Sequence, residues 1–423
     1  MYVSLRESPT GSKAKGVPGG IKSRIPATVI GLGLVSLLTD VSSESVAAVL
    51  PLYLTVVLGF GPLAYGFIDG INQAVSALVR LVGGFWADTT RRPKPIATLG
   101  YASSAASRFG LLLLQGFWPI TAMISVDRLG KGLRTGPRDA MIAAASDPRA
   151  LGRNFGVHRA LDTTGALIGP LLAFAILVTV PYGLGGYRSV FAVSAAFAVI
   201  GVAVLVLAVP GAKRNRALTA AVEGRPDRPR WRDLVRPRNA RLLIAAGLLG
   251  LMTIGDGFIY LALADSGGIP PQAFPLLFVG TSATYLLLAV PFGRLADRFG
   301  RWKIFLGGQV LLLVAYLITA GGEVGIVGVI AILGLLGLYY AATDGVLSAL
   351  AAQEAPESGR ASGIAAAQTV VAIARFGASV GFGVLWQFTD QRTALLVVAT
   401  GLLAVIPVAG WLLAKAGRRA AAS

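Results

Sequence analysis

Cysteine is absent from the chain and histidine occurs once, at His158. The first absence excludes disulfides, zinc–thiolate centres and thiol nucleophiles, and a single imidazole leaves no multi-histidine metal site. Neither a metal nor a cofactor is expected. Charge is scarce too: Asp, Glu, Lys and Arg supply 14% of the residues, against about 25% in a soluble domain. With 55% hydrophobic residues, the chain lacks the polar surface that would keep it in water. Acidic residues are scarcer than basic ones, 20 against 38, for a formal net charge of +18. Such an excess points to nucleic acid only where cations crowd onto one water-exposed face. Here most of them fall in short breaks between apolar segments.

What is present is a recurring run of roughly 20 apolar residues, the length that crosses a bilayer as a helix. Twelve spans are expected, at 27–57, 62–88, 95–116, 119–146, 155–180, 189–210, 241–264, 272–296, 303–321, 325–352, 361–388 and 393–415. The chain is therefore read as an all-α membrane protein. Its expected organisation is a basic tail (1–25), a six-helix bundle (26–210), a basic linker (211–239), a second six-helix bundle (240–416) and a short tail (417–423). The 54 glycines suit close helix approach in lipid. The first tail has no apolar core before Ile25, so it reads as a cytoplasmic segment and not a cleaved signal.

Loop charges give the orientation. One alternating set carries Arg91, Arg92, Lys94, Arg149, Arg153, the linker, Arg298, Arg301, Lys303 and Arg360, whereas the opposite set has only Arg188 and Arg392. Positive loops stay on the cytoplasmic side. Both termini are then cytoplasmic in an inner membrane, with the cations meeting anionic lipid and not nucleic acid. A monomer is expected.

The halves repeat. Gly84, Asp88, Arg92 and Lys94 after the second span recur as Gly293, Asp297, Arg301 and Lys303 after the eighth, a shift of 209 residues. A second pair, Gly152-Arg153 with Gly156 and Gly359-Arg360 with Gly363, keeps a shift of 207. Two parallel six-helix halves are what a two-bundle transporter requires. In each loop a carboxylate at a helix end precedes arginines, which suits a charge latch made in one conformation and released in another. Its candidates are Gly84, Asp88, Arg92, Gly293, Asp297, Arg298 and Arg301.

The fourth span breaks the apolar pattern with Asp127, Arg128, Lys131, Arg134, Arg138 and Asp139. Charge inside a span is costly and by default functional. At 100° per residue, Asp127, Lys131, Arg134 and Arg138 share one stripe, and Arg128, Gly132 and Thr135 the next. A row of cations cannot face lipid. Lys131 and Arg134 are candidates for presenting charge to a cargo, with ion pairing to Asp127, Asp40 or Asp162 as the alternative; Arg138 and Asp139 read as anchors near the span's end. The matching part of the tenth span carries no charge, so the row is not part of the scaffold.

Carboxylates are the candidate proton carriers. Asp40 and Glu44 lie one turn apart on the first span, and paired carboxylates in a low-dielectric site tend to keep one proton between them. Asp162, one turn beyond His158, offers that imidazole a partner. Asp69, Asp256 and Asp344 lie within spans and, with Tyr260 and Tyr340, are candidates for cargo binding. Tyr53, Phe67 and Tyr339 are further aromatic candidates. Arg80 and Arg375 also lie in spans and need partners.

These residues resemble the major facilitator superfamily over nearly the whole chain. The loop from Gly293 to Lys303 is complete for that family's pattern; in its first copy Trp86, Thr89 and Arg91 depart from it. Arg128 and Gly132 are similar to the family's Arg-x-x-x-Gly element, which implies a part for Arg128 in proton coupling beside Asp40, Glu44, His158 and Asp162. Gly165, Gly169 and Pro170 are similar to its antiporter element, whose later glycines are Ala173 and Phe174 here. Asp40 and Glu44, the run from Asp127, His158 with Asp162, and Gly337 to Tyr340 further resemble a bacterial subgroup of efflux permeases. The resemblance implies a proton antiporter exporting a drug-like compound or an anionic metabolite. The alternative is a proton-coupled uptake symporter for a small polar or anionic solute. An enzyme is not expected: there is no Gly-x-Ser-x-Gly element. Ile254, Gly255 and Asp256 match only half of an intramembrane aspartyl protease pattern, because Met252 and Thr253 stand where its preceding glycine belongs.

Overall fold

The structure is a computed structural model that describes residues 25–89, 93–147, 150–181, 183–210, 237–266, 268–354 and 360–420. Side chains of residues 77–78, 80–89, 237–239, 354, 360–362 and 416–420 lie outside the description, as do the first tail and most of the linker. Among the described residues the secondary structure is helical, without strands.

The first half contains α1 (Ala27–Leu52), α2 (Pro62–Thr89), α3 (Pro93–Leu113), α4 (Phe117–Ala145), α5 (Leu151–Thr179) and α6 (Leu184–Leu207). The second contains α7 (Pro237–Leu251), α8 (Asp256–Asp265), α9 (Pro275–Phe299), α10 (Arg301–Ala320), α11 (Ile326–Glu354), α12 (Arg360–Phe388) and α13 (Gln391–Ala420). α7 and α8 are two pieces of one crossing, Ala240–Asp265, which brings the count to twelve. Among the described residues nine of these crossings are long and apolar enough to span a membrane by length and composition. α2, α3 and α4 are not among them; α4 fails the criterion through its own charges.

The first half packs through α1 against α5 and α6, α4 against α2 and α3, and α3 against α6. The second repeats the arrangement with α11 against α9, α10 and α12, and α7 against α12 and α13. The two halves meet through α2 with α12 and α5 with α9. Side chains such as Leu207, Val327, Leu287 and Phe388 are more than three-quarters exposed. An outer surface this apolar belongs in lipid, where helices that satisfy their own backbone groups can stand.

Small residues set the closest helix pairs. A Cβ on Gly130 of α4 would lie 2.6 Å from the Gly100 carbonyl oxygen of α3, and one on Gly100 would lie 2.7 Å from that of Gly130. Gly165 and Gly169 seat α5 on α1: a Cβ at the first would run into the Leu37 carbonyl, and one at the second would lie 2.8 Å from the Ser45 amide nitrogen. Pro170, buried beside them, continues α5 without interrupting it. The antiporter-like element thus places α5 against the helix that carries Asp40 and Glu44.

The break between α7 and α8 covers Thr253 to Gly255. It would strand backbone groups inside the bilayer without a partner. Tyr316 of α10 supplies one: its hydroxyl accepts from the Ile254 amide at 3.0 Å and donates to the Met252 carbonyl at 3.3 Å. Asp256 therefore opens α8, at a helix N-terminus, where a negative charge is favoured.

Candidate functional site

α2 starts at the end of the molecule remote from the N-terminus, and there described residues of the two halves come into close contact. A Cβ at Gly66 would strike the Ser379 carbonyl, and one at Gly383 would lie 2.7 Å from the Pro62 carbonyl oxygen. The Gln387 side chain reaches the position of a Cβ on Gly61. Tyr65 stacks edge-on against Phe258 at 4.8 Å between ring centres. The Ser379 hydroxyl of α12 donates to Asp69 Oδ2 of α2 at 2.6 Å, and the Asp69 carboxylate lies directly against Gly255, at the start of α8.

Just inside this closure is a cavity of about 190 Å³. Its charged lining is Asp69, Arg108, Asp127 and Arg128 from the first half and Asp256 from the second. Tyr340 of α11 also lines it and donates to Asp256 Oδ1 at 2.8 Å. Behind it, Arg375 of α12 donates to the Tyr339 hydroxyl at 2.8 Å. That gives one of the two unassigned arginines its partner; the side chain of Arg80 lies outside the description.

Of the residues expected to bind cargo, the cavity gathers Asp69, Asp256 and Tyr340. Tyr260 is fully buried outside the lining, donating to Thr281 at 2.7 Å. Asp344 is exposed and apart from the lining. Lys131 and Arg134 also face elsewhere. Lys131 Nζ lies 3.4 Å from Glu44 and 3.9 Å from Asp40, and an Arg134 amino group lies 3.6 Å from Asp40. Arg134 is buried with its guanidinium 4.4 Å from the centre of the Tyr101 ring. The ion-pairing alternative describes both cations, and the Asp40–Glu44 pair is compensated by them.

Three further residues differ from expectation. Asp162 meets Arg138 at 3.7 Å and Arg159 at 3.5 Å. His158 is buried and instead contacts Ser36, Nε2 to Oγ at 3.0 Å. The Arg138 guanidinium takes the place beside that carboxylate that the imidazole was expected to fill. Arg138 is not a terminal anchor: it bonds Asp139 at 3.0 Å and Ser36 at 3.3 Å and reaches Asp162, tying α4 to α1 and α5.

Asp127 and Arg128 are the part of the α4 run that reaches the cavity. Asp127 Oδ1 accepts from Arg108 of α3 at 2.7 Å, and Arg128 lies 3.7 Å from its other oxygen. Arg108 was not among the sequence candidates. Its signal was available: a lone cation deep in the third apolar segment, under the same rule that singled out α4. Ser43, Asn72 and Gln73 complete the polar lining, and nothing in their sequence context distinguishes them from other polar residues of the spans.

The loop latch is described only in its second copy. Arg301 donates twice to Asp297 Oδ1, at 3.0 and 2.9 Å, and once to the Ala349 carbonyl of α11 at 3.4 Å. Gly300 turns between them with a φ of 99°, a conformation glycine adopts freely. Arg298 lies against its neighbour Phe299 and Gly293 has open space around it. The first copy (Gly84, Asp88, Arg92) lies outside the residues whose side chains are described. Its Lys94 is described: it donates to the carbonyls of Val206 and Val209 at 3.1 and 2.6 Å, holding the end of α6.

Two bundles with a polar cavity at their seam and a broken helix beside it form the frame of a secondary transporter. The sequence model of the Major Facilitator Superfamily matches residues 32–379. The chain belongs to this superfamily. An uncharacterized MFS-type transporter of Methanocaldococcus jannaschii is 28% identical over 386 residues, covering 88% of this chain and 92% of its own. The nucleoside transporter NupG shares the fold with a TM-score of 0.73 at 15% identity, over 91% of this chain and 99% of its own. A POT family transporter in complex with 5-aminolevulinic acid does so with a TM-score of 0.73 at 13% identity, over 94% of this chain and 98% of its own. This MFS protein is a multi-pass membrane transporter of the two-bundle type.

Proposed function

We propose that this MFS protein exports a small organic molecule by proton antiport, the two halves rocking about the central cavity. The observation that carries the reading is a carboxylate from each half in one cavity: Asp69 and Asp256 line it, and neither forms an ion pair among the described residues. Half-buried carboxylates within the span of a membrane protein, left without a cation, need a proton or a cationic group of the cargo. Competition for the same two groups gives exchange, and exchange is antiport. Placing both termini in the cytoplasm of an inner membrane, as the loop charges argue, puts the closed end outside. Arg128, beside Asp127 on the cavity wall, sets how firmly those carboxylates hold their proton. Asp40, Glu44, His158 and Asp162 form the neighbouring polar network that links α1, α4 and α5. In this reading Asp297 and Arg301, with Asp88 and Arg92, latch the loops between halves of the cycle.

A substrate screen in a host lacking its own exporters tests this. Cells expressing the wild type are expected to lower the intracellular level of a cargo at least about threefold, and Arg128→Ala at equal expression to abolish the difference. Unchanged efflux in Arg128→Ala removes Arg128 from the mechanism; expression that raises intracellular levels reverses the direction.

A further inference from the structure

Among the described residues the charges beside the seam are paired, except in the cavity. Next to it, Asp40 and Glu44 face Lys131 and Arg134, and Asp139 and Asp162 face Arg138 and Arg159, two sets of ion pairs with two charges of each sign in each. The cavity lining has three carboxylates, Asp69, Asp127 and Asp256, and two guanidinium groups, Arg108 and Arg128. Among the described residues one negative charge is in excess. Arg375 lies behind the wall, donating to the Tyr339 hydroxyl, and is not part of the lining. The α8 N-terminus against Asp69 contributes a partial positive charge of roughly half a unit, which eases the excess without cancelling it.

The rest of the lining fits the same kind of guest. Tyr65, Phe278 and Tyr340 bring aromatic rings to the cavity, the partners that a desolvated organic cation finds favourable. The volume of about 190 Å³ is below the roughly 300–1,000 Å³ of sites for drug-sized ligands. We infer that the cargo is a compact organic monocation, held at Asp69 and Asp256 in place of one proton. This rests on the antiport reading and replaces both a drug-sized and an anionic cargo. A molecule with no net charge would leave the excess in place, and an anion would double it.

Binding to the purified full chain in detergent tests the inference apart from transport. The probes are tyramine, its neutral alcohol tyrosol, its carboxylate analogue phloretate, and the dication cadaverine. Tyramine is expected to raise the unfolding temperature, to bind at least about tenfold more tightly than tyrosol or phloretate, and to release about one proton in weakly buffered calorimetry. Asp69→Asn and Asp256→Asn should each weaken tyramine about tenfold or more. Arg128→Gln keeps every carboxylate and raises the excess to two, so its preference should move from tyramine to cadaverine. That shift is readable even if the asparagine variants do not fold, and a merely structural role for Arg128 would not produce it. Tyrosol or phloretate binding as tightly as tyramine, an unmoved preference in Arg128→Gln, or no response to any of the probes overturns the inference. None of those results touches antiport itself, which is read from fluxes.

Discussion

Arg108→Leu is expected to destabilise the protein by about 3–5 kcal/mol, the cost of leaving one member of a buried ion pair behind. The side chains of Arg108 and Asp127 are only 3% and 4% exposed, and they meet at 2.7 Å. Without Arg108, the nearest cation to Asp127 is Arg128 at 3.7 Å, too long for a hydrogen bond. The carboxylate would then sit at the centre of a membrane protein with its charge half answered. Arg108→Leu/Asp127→Leu removes both charges and is expected to recover most of the loss, because a buried pair replaced by apolar groups is close to neutral. Heating detergent extracts and measuring the monodisperse fraction compares the three proteins. Equal instability of the single and double variants would mean that the site depends on the shape of the pair and not on its charges.

Cross-linking the closed end should stop transport almost completely. Gly61 and Gln387 belong to different halves, and the Gln387 side chain already occupies the place of a Cβ on Gly61. The chain has no cysteine, so Gly61→Cys/Gln387→Cys creates the only thiols present. Oxidation is expected to join α2 to α12 and to lower transport at least about tenfold, since a bridge across two bundles holds one state of a two-state cycle. Reduction should restore the rate. A bridged protein that transports like the wild type would show that these ends do not separate during the cycle.

The fold was legible because lipid imposes a strong pattern. Apolar runs, a polar linker and a repeat at 209 residues follow from backbone that must satisfy itself within each helix. Even so, α4 would have failed a hydropathy count, and it was the charges themselves, set between apolar flanks, that marked it. The site was less legible. Helical periodicity sorted α4 correctly into stripes, but a stripe does not say which neighbour it faces. Lys131 turned to α1, Arg134 to Asp40 of α1 and Tyr101 of α3, and Asp127, from the same stripe, to Arg108 of α3 and the cavity. Those directions are set by the Gly100–Gly130 contact, a feature of tertiary packing. The expected pairing of His158 with Asp162 was a local guess of one helical turn, and a longer-range guanidinium, Arg138, displaced it. Arg108 was visible as an intramembrane charge. Ser43, Asn72 and Ser379 were not, because a hydroxyl or amide in a span is as often bonded to its own helix as to a site.

Proton movement in proteoliposomes bears most directly on the central claim. Vesicles loaded with a pH-sensitive dye and an acidic lumen are mixed with a radiolabelled cargo recovered from the efflux screen, with protein-free vesicles correcting for passive entry. Antiport at Asp69 and Asp256 predicts that cargo accumulates in the acidic lumen while the lumen turns alkaline, and that Asp256→Asn shows neither change. Cargo that instead accumulates only when the outside is the acidic face, moving in the same direction as protons, would contradict it.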